Sequence, residues 1–244
     1  MKRLSMRHTA FLVLVIVALL QGFCLAAETN CPEHFAYGEA PDLVNPELTA
    51  KSREICYAGF AVKHSGVTRT SLYSAEYLTT ERLQQAQGIH RKNLFHADVF
   101  IPADERAELH DYSHSGYDRG HLAPAADMPD VQAQLESFAL SNVVPQNPGN
   151  NRGAWAQLEK MVRRLVQEHG RLYVITGPIF DQKPEQVGGA VSVPVYLFKA
   201  VLISEAGAVK AYLVENKDKA QVMEIAVEVL EEMAGLRLFP QRIQ

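Results

Sequence analysis

Strand-like runs outnumber helical patterns in this chain and do not alternate with them, and that order restricts the fold more than any other feature. The extended runs are Tyr57–Val62, Thr70–Leu78, Asp98–Ile101 and Arg171–Thr176, the last closed by Gly177-Pro178. Val191–Ser204 and Val209–Glu215 then read as an antiparallel pair turned by Glu205–Ala208. Only two segments carry the helical period. One starts at Asn151, a good N-cap, continues through Trp155, Leu158, Val162, Leu165 and Val166, and stops at Gly170. The other, Ala220–Met233, is an amphipathic helix suited to crossing a sheet. Parallel sheets need a crossover helix between successive strands. Without that alternation the class is α+β, with a central antiparallel sheet flanked by helices.

The N-terminus is a separate element. Lys2, Arg3 and Arg7 precede an apolar run from Ala10 to Leu20, and small residues follow at Ala26 and Ala27. This layout predicts a secretory signal peptide over residues 1–27 and an exported protein, periplasmic or secreted. A bilayer span takes about 20 apolar residues, so no stable membrane association is expected after its removal; a retained anchor is the alternative. About 217 residues remain, enough for one domain with a sizeable core. Losing three basic residues moves the formal charge from −4 to about −7. Nucleic-acid-binding proteins are usually basic, so any phosphate site must be a local cationic cluster on an acidic body. Cys31 and Cys56 remain as an even pair, which in an exported protein reads as a disulfide; a two-cysteine metal site is the alternative. That bridge would pin an irregular arm, residues 28–56, to a body spanning 57–244.

Between Asp111 and Asn151 the chain is rich in Gly, Pro, Asn and Asp, and loops held by a rigid scaffold often carry function. His121 in Asp118-Arg119-Gly120-His121 is a candidate general base, because imidazole titrates near neutral pH. Gly120 would permit an unusual backbone angle or a close ligand approach. On the following helix, Glu159 lies about 80° and Arg163 about 120° around from Asn151 at the α-helical rotation. An amide oxygen plus one carboxylate acting through water suits a hard cation such as Mg²⁺. The plain alternative is a capping Asn151 and a Glu159–Arg163 ion pair on the helix surface.

Tyr117-Asp118-Arg119-Gly120-His121-Leu122-Ala123-Pro124 resembles the signature of the DNA/RNA non-specific endonucleases, a branch of the ββα-metal (His-Me finger) nucleases. The likeness continues through Ser141–Gln146, Asn151–Trp155, Leu158-Glu159 and Arg163, closes at Val174–Pro178, and spans about residues 59–213. It implies a ββα-metal motif in which the His121 hairpin lies against the Asn151 helix. It implies that His121 activates water and that Asn151 is the direct protein ligand of one Mg²⁺, with Mn²⁺ as a substitute. Glu159 would act through a metal-bound water and help protonate the leaving group. Arg119 and Arg163 would contact phosphate, Arg91 would match an upstream phosphate-binding arginine, and Asn142 would orient the His121 loop or simply support it. The substrates implied are DNA and RNA. A nucleotide phosphodiesterase or pyrophosphatase on the same scaffold is the alternative enzyme, and an inactive nucleic-acid-binding domain is the alternative of another class.

Overall fold

The computed structural model of the protein describes residues 29–240, so the leader expected over residues 1–27 lies outside the described residues. Along the chain come β1 (Ser52–Cys56), β2 (Ala61–Ser65), β3 (Thr70–Thr79), α1 (Thr80–Gln87), β4 (Asp118–His121), α2 (Val131–Ser137) and β5 (Val143–Gln146). A helical turn at Pro148–Asn150 and a π-helical turn at Asn151–Trp155 lead into α3 (Ala156–His169). Then follow β6 (Arg171–Ile179), β7 (Tyr196–Ile203), β8 (Ala208–Glu215), β9 (Val222–Ile225) and α4 (Val227–Ala234). Seven strands form one antiparallel sheet in the order β9-β8-β7-β6-β3-β2-β1, and β4 pairs with β5 apart from it.

The sheet is covered on both faces. Successive side chains of a strand point to opposite sides. Phe198, Ala200 and Leu202 of β7 therefore join Ala75, Ile175 and Leu213 against Phe35, Leu230 and Phe239. Leu197, Val201 and Ile203 join Leu172, Val174 and Val214 against Trp155, Leu158, Val162 and Val166 of the α3 segment. Two-sided burial explains why β7 reads as a continuous apolar run. Each fully buried Leu or Val on α3 contributes about 1.5–3 kcal/mol of transfer free energy, which fixes this helix, and the site it carries, to the sheet.

Several expectations are corrected. Tyr57–Val62 is mostly a hairpin turn, closed by the Tyr57 amide donating to the Phe60 carbonyl at 2.8 Å; the strands lie on either side. The arm is accordingly not irregular throughout, since its last residues form β1. Asp98–Ile101 is a turn, because the Asp98 carboxylate accepts the Phe100 amide at 3.0 Å and offers the backbone an alternative to a strand ladder. β6 runs past Thr176 to Ile179. Pairing with β3 ends at Ser74↔Thr176, so the missing N–H of Pro178 falls where no strand needs it on that side. Residues 220–233 are not one helix. Val222–Ile225 pairs with Val214–Ala211 as an edge strand, and the helix begins only at Val227. Helices α1 and α2 were not anticipated. Thr79 caps the first by accepting the Arg82 amide at 3.2 Å, and Asp130 caps the second by accepting the Ala133 amide at 2.8 Å.

Cys31 and Cys56 form a disulfide with Cα atoms 5.8 Å apart, which ties the start of the described chain to β1 and removes both sulfurs as metal ligands. Among the described residues no helix is long and apolar enough to cross a membrane.

Candidate active site

The β4–β5 hairpin sets Asp118 opposite Gln146, Arg119 opposite Pro145, Gly120 opposite Val144 and His121 opposite Val143. Strand alternation puts Arg119 and His121 on one face, and both use Phe95. The Arg119 guanidinium lies over the Phe95 ring at 4.5 Å, and the His121 ring lies 5.1 Å from it. Phe138 packs edge-on to His121 at 4.9 Å. His121 is buried, and its Nε2 has no hydrogen-bond partner among the described residues. Burial, reinforced by the Arg91 charge, lowers its pKa to about 3, so the imidazole is neutral across the neutral range. Gly120 is required by a neighbouring side chain rather than by its own backbone angle. A Cβ there would stand 2.0 Å from Gln146 Oε1 and 2.6 Å from Gln146 Cβ.

Asn142 is fully buried beneath this strand. Its amide oxygen accepts from Ala123 N at 3.0 Å, and its amide nitrogen donates to Ala123 O at 2.8 Å and Ser137 O at 2.9 Å. Its own carbonyl accepts from Leu122 N at 2.9 Å. All these contacts are to the chain just after His121 and to the end of α2.

Asn151 does not cap its helix. Asn147 does, accepting the amides of Gly149 at 2.9 Å and Asn150 at 3.4 Å, with Pro148 in the first turn where its missing N–H costs nothing. Asn151 instead opens the π turn. A π turn rotates less per residue than an α-helix, so the angles expected for Glu159 and Arg163 from a straight α-helix do not hold; such turns occur frequently at functional sites. The Asn151 amide nitrogen donates to Asp118 Oδ2 at 2.9 Å. This orients the side chain and leaves its amide oxygen without a hydrogen bond among the described residues. Arg152 grips the same carboxylate with two bonds, at 2.8 and 2.6 Å. Burial would raise the Asp118 carboxyl, but these bonds and the charges of Arg152 and Arg119 hold it below its usual range. Asp118 and Arg152 went unassigned in the sequence, although both lie inside the quoted motifs.

Arg163 donates to Asp127 Oδ1 at 2.9 Å, not to Glu159. Burial raises the Glu159 carboxyl, and Asp127 adds to this against the opposing charges of Lys199, Arg163 and Arg91. Lys199 lies on the α3 face of the sheet and is 1% exposed. It donates to Thr176 Oγ1 at 2.8 Å and the Leu122 carbonyl at 3.2 Å, and sits 5.1 Å from the centre of the Trp155 ring. Arg82 reaches Asp127 O at 2.8 Å and approaches buried Glu76 at 3.6 Å. Asp127, Lys199, Glu76 and Arg82 escaped sequence reasoning, because a single charged residue within a strand or loop gives no local signal of a distant partner.

Arg91 lines two clefts. One, of about 360 Å³, is lined by Arg91, Asn93, Phe95, Asp118, Arg119, Asn151 and Arg152. The other, of about 530 Å³, runs beside α3 past Arg163. Arg91 also lies 5.4 Å over the Phe138 ring, which joins it to the His121 pocket. Among the described residues, the one group of three or more Cys, His, Asp or Glu close enough to hold a metal is Cys31, Glu54 and Cys56, whose cysteines are bonded to each other. The donor set at the hairpin is instead the free amide oxygen of Asn151 with the Asp118 carboxylate beside it, which fits a hard cation that keeps most of its waters.

The sequence pattern of the DNA/RNA non-specific endonucleases matches residues 40–242. The chain belongs to that family. As a member of the DNA/RNA non-specific endonucleases, it is 36% identical over 196 residues to "Nuclease 1, mitochondrial" of Schizosaccharomyces pombe, covering 70% of this chain and 61% of that protein. It is 36% identical over 210 residues to "Nuclease" of Syncephalastrum racemosum, covering 75% and 66%. It is 35% identical over 210 residues to human "Endonuclease G, mitochondrial", covering 78% and 69%. The chain thus spans about three-fifths to two-thirds of the length of these relatives. A solved structure of the EndoG/EndoGI complex superposes with a TM-score of 0.70 at 28% identity, covering 80% of this chain and 87% of that one. These relatives correct one expectation. Those whose names carry a location are mitochondrial nucleases, and an exported, periplasmic or secreted location is not supported. The physical reason lies in the composition of the first residues. A basic, acid-free start is common to secretory and organellar targeting sequences, so that feature by itself does not choose between them.

Proposed function

We propose that the protein is a Mg²⁺-dependent endonuclease that hydrolyses phosphodiester bonds in DNA and RNA with little base preference. The observation that carries this reading is a buried His121 with an unpartnered Nε2, held on the β4–β5 hairpin beside a cationic cleft lined by Asn151, whose amide oxygen is free. Asn151 directly, and Glu159 through water, would hold the cation, with Mn²⁺ as a substitute. When bound, the cation supplies charge neutralisation at the phosphate.

His121 takes the proton from the attacking water. Its lowered pKa keeps it unprotonated and able to do so at neutral pH. Phe95 and Phe138 fix the ring plane, and Asn142 holds the chain that follows. Asp118 orients Asn151, and Arg152 keeps that carboxylate charged. Arg119 and Arg91 line the cleft where charge develops on phosphate, and Arg163 stands on the neighbouring wall, anchored by Asp127. Glu159, raised by its burial, is suited to carry a proton to the leaving oxygen. Water is the nucleophile, so no ribose 2′-hydroxyl is needed, and phosphate contacts carry no base information.

Supercoiled plasmid and a folded RNA, each incubated with Mg²⁺ or with chelator, test the proposal. Both should be cut only with the metal, and His121→Ala should slow cutting by at least about 10²-fold. Cleavage of a chromogenic dinucleotide ester with neither polymer cut would refute the endonuclease reading in favour of a small-substrate phosphodiesterase.

A further inference from the structure

The larger cleft, about 530 Å³, enters the chemistry above only through Arg91 and Arg163, and the rest of its lining has no role there. One wall is a stripe of α3: Lys160, Arg163, Arg164 and Gln167, spaced i, i+3, i+4 and i+7 and therefore on one helix face. The facing wall comes from α1 and the residues after it, with Leu83, Ala86 and Ile89 as apolar floor. Arg163 is engaged by Asp127, but Lys160 and Arg164 are exposed and make no ion pair among the described residues. On a chain whose formal charge is −4, an unneutralised cationic stripe beside an apolar floor is a local exception. Arg91 lines this cleft and the Asn151 cleft alike, so the two adjoin at its side chain.

We propose that this cleft binds the single strand flanking the scissile phosphate. Lys160 and Arg164 contact its backbone phosphates, and the floor takes an unpaired base. The inference rests on the nuclease reading of the adjoining site. The stripe rises about 10 Å along α3, close to three nucleotides at about 3.4 Å per step of one strand. The volume lies in the range of about 300–1,000 Å³ that accepts one small-molecule-sized group. A nucleoside is of that size, and a duplex is not. Apolar and π-face contacts tolerate any base, which agrees with a site that lacks base readout.

The test is equilibrium binding of a fluorescent 12-nucleotide single strand to full-length His121→Ala protein over a salt series. The same measurement is made after adding Lys160→Gln and Arg164→Gln, which keep the exposed side-chain stems. The slope of log affinity against log salt should fall by about 1.4, which is two phosphates at about 0.7 each. Ala126→Glu, at an exposed position lining the cleft, should weaken binding about tenfold without changing the circular dichroism spectrum. With His121 intact, the Lys160→Gln, Arg164→Gln enzyme should turn over a dinucleotide ester at the unaltered rate. An unchanged slope in the folded double variant overturns the proposal, as does an equal loss of slope with a 12-base-pair duplex. Binding needs no cleavage, so the two readings fail separately. Polymer cutting with an unchanged slope removes the cleft alone, and a reduced slope without any cutting removes the nuclease reading alone.

Discussion

Asn142→Ala removes a side chain that is 0% exposed and makes three hydrogen bonds, to Ala123 N, Ala123 O and Ser137 O. Each such bond contributes about 1 kcal/mol net, and more when the abandoned partner stays buried. The loss should therefore be about 3–4 kcal/mol. With a urea slope of about 2 kcal/mol/M, the unfolding midpoint falls by about 1.5–2 M. Asn142→Asp is the sharper test. A carboxylate still accepts the Ala123 amide, but the one oxygen that replaces the amide nitrogen turns its lone pairs toward the carbonyls of both Ala123 and Ser137, at 2.8 and 2.9 Å in the native structure. It should destabilise as much as alanine at pH 7.5 and recover part of the loss, relative to alanine, at pH 5, where protonation restores one donor. Urea titrations at both pH values, with single-turnover cleavage below the transition, separate stability from catalysis. An Asn142→Ala midpoint within about 0.5 M of the native protein, or an Asp variant that matches wild type at pH 7.5, would refute the positioning role.

Asn147→Ala should cost about 1 kcal/mol through loss of the helix cap, while Asn151→Ala leaves stability within about 0.5 kcal/mol and abolishes metal-dependent cleavage; paired urea titrations and plasmid assays check both, and a stability loss confined to Asn151→Ala would reverse the assignment. Acid should destabilise the fold through buried His34, His64 and His121, whose pKa values burial lowers below the unfolded value of about 6.5. Their contribution is fully present above about pH 6.5 and is lost as pH falls, toward about 3 for His121, by up to about 1.4 kcal/mol per pH unit for each histidine. Unfolding free energies in chelator at pH 7.5, 6 and 5 should decline in that order, and a flat profile would show that these rings protonate freely in the folded state.

The sequence by itself determined whatever depends on near neighbours. The β-prone apolar run within Val209–Glu215 and the 3.6-residue period through Trp155, Leu158 and Val162 marked a sheet strand and a helix, because the first is buried on both faces and the second on one. The family motifs placed His121, Asn142, Asn151, Glu159 and Arg163 in short runs whose internal order is legible. Tertiary structure decided what depends on segments far apart in the chain. Arg152 and Asn151 meet Asp118 across 34 and 33 residues, Arg163 meets Asp127 across 36, and Lys199 meets Leu122 across 77. No local pattern announces such a pair, since a charge reads alike whether solvent or a distant partner neutralises it. The same limit governed the ambiguous ends. Val222–Ile225 has enough apolar character for helix or strand, and the open edge of β8 selected the strand. Asn147 and Asn151 are both acceptable caps in isolation. The cap went to Asn147 because Pro148 starts the helix there, which frees Asn151 to turn its amide toward Asp118.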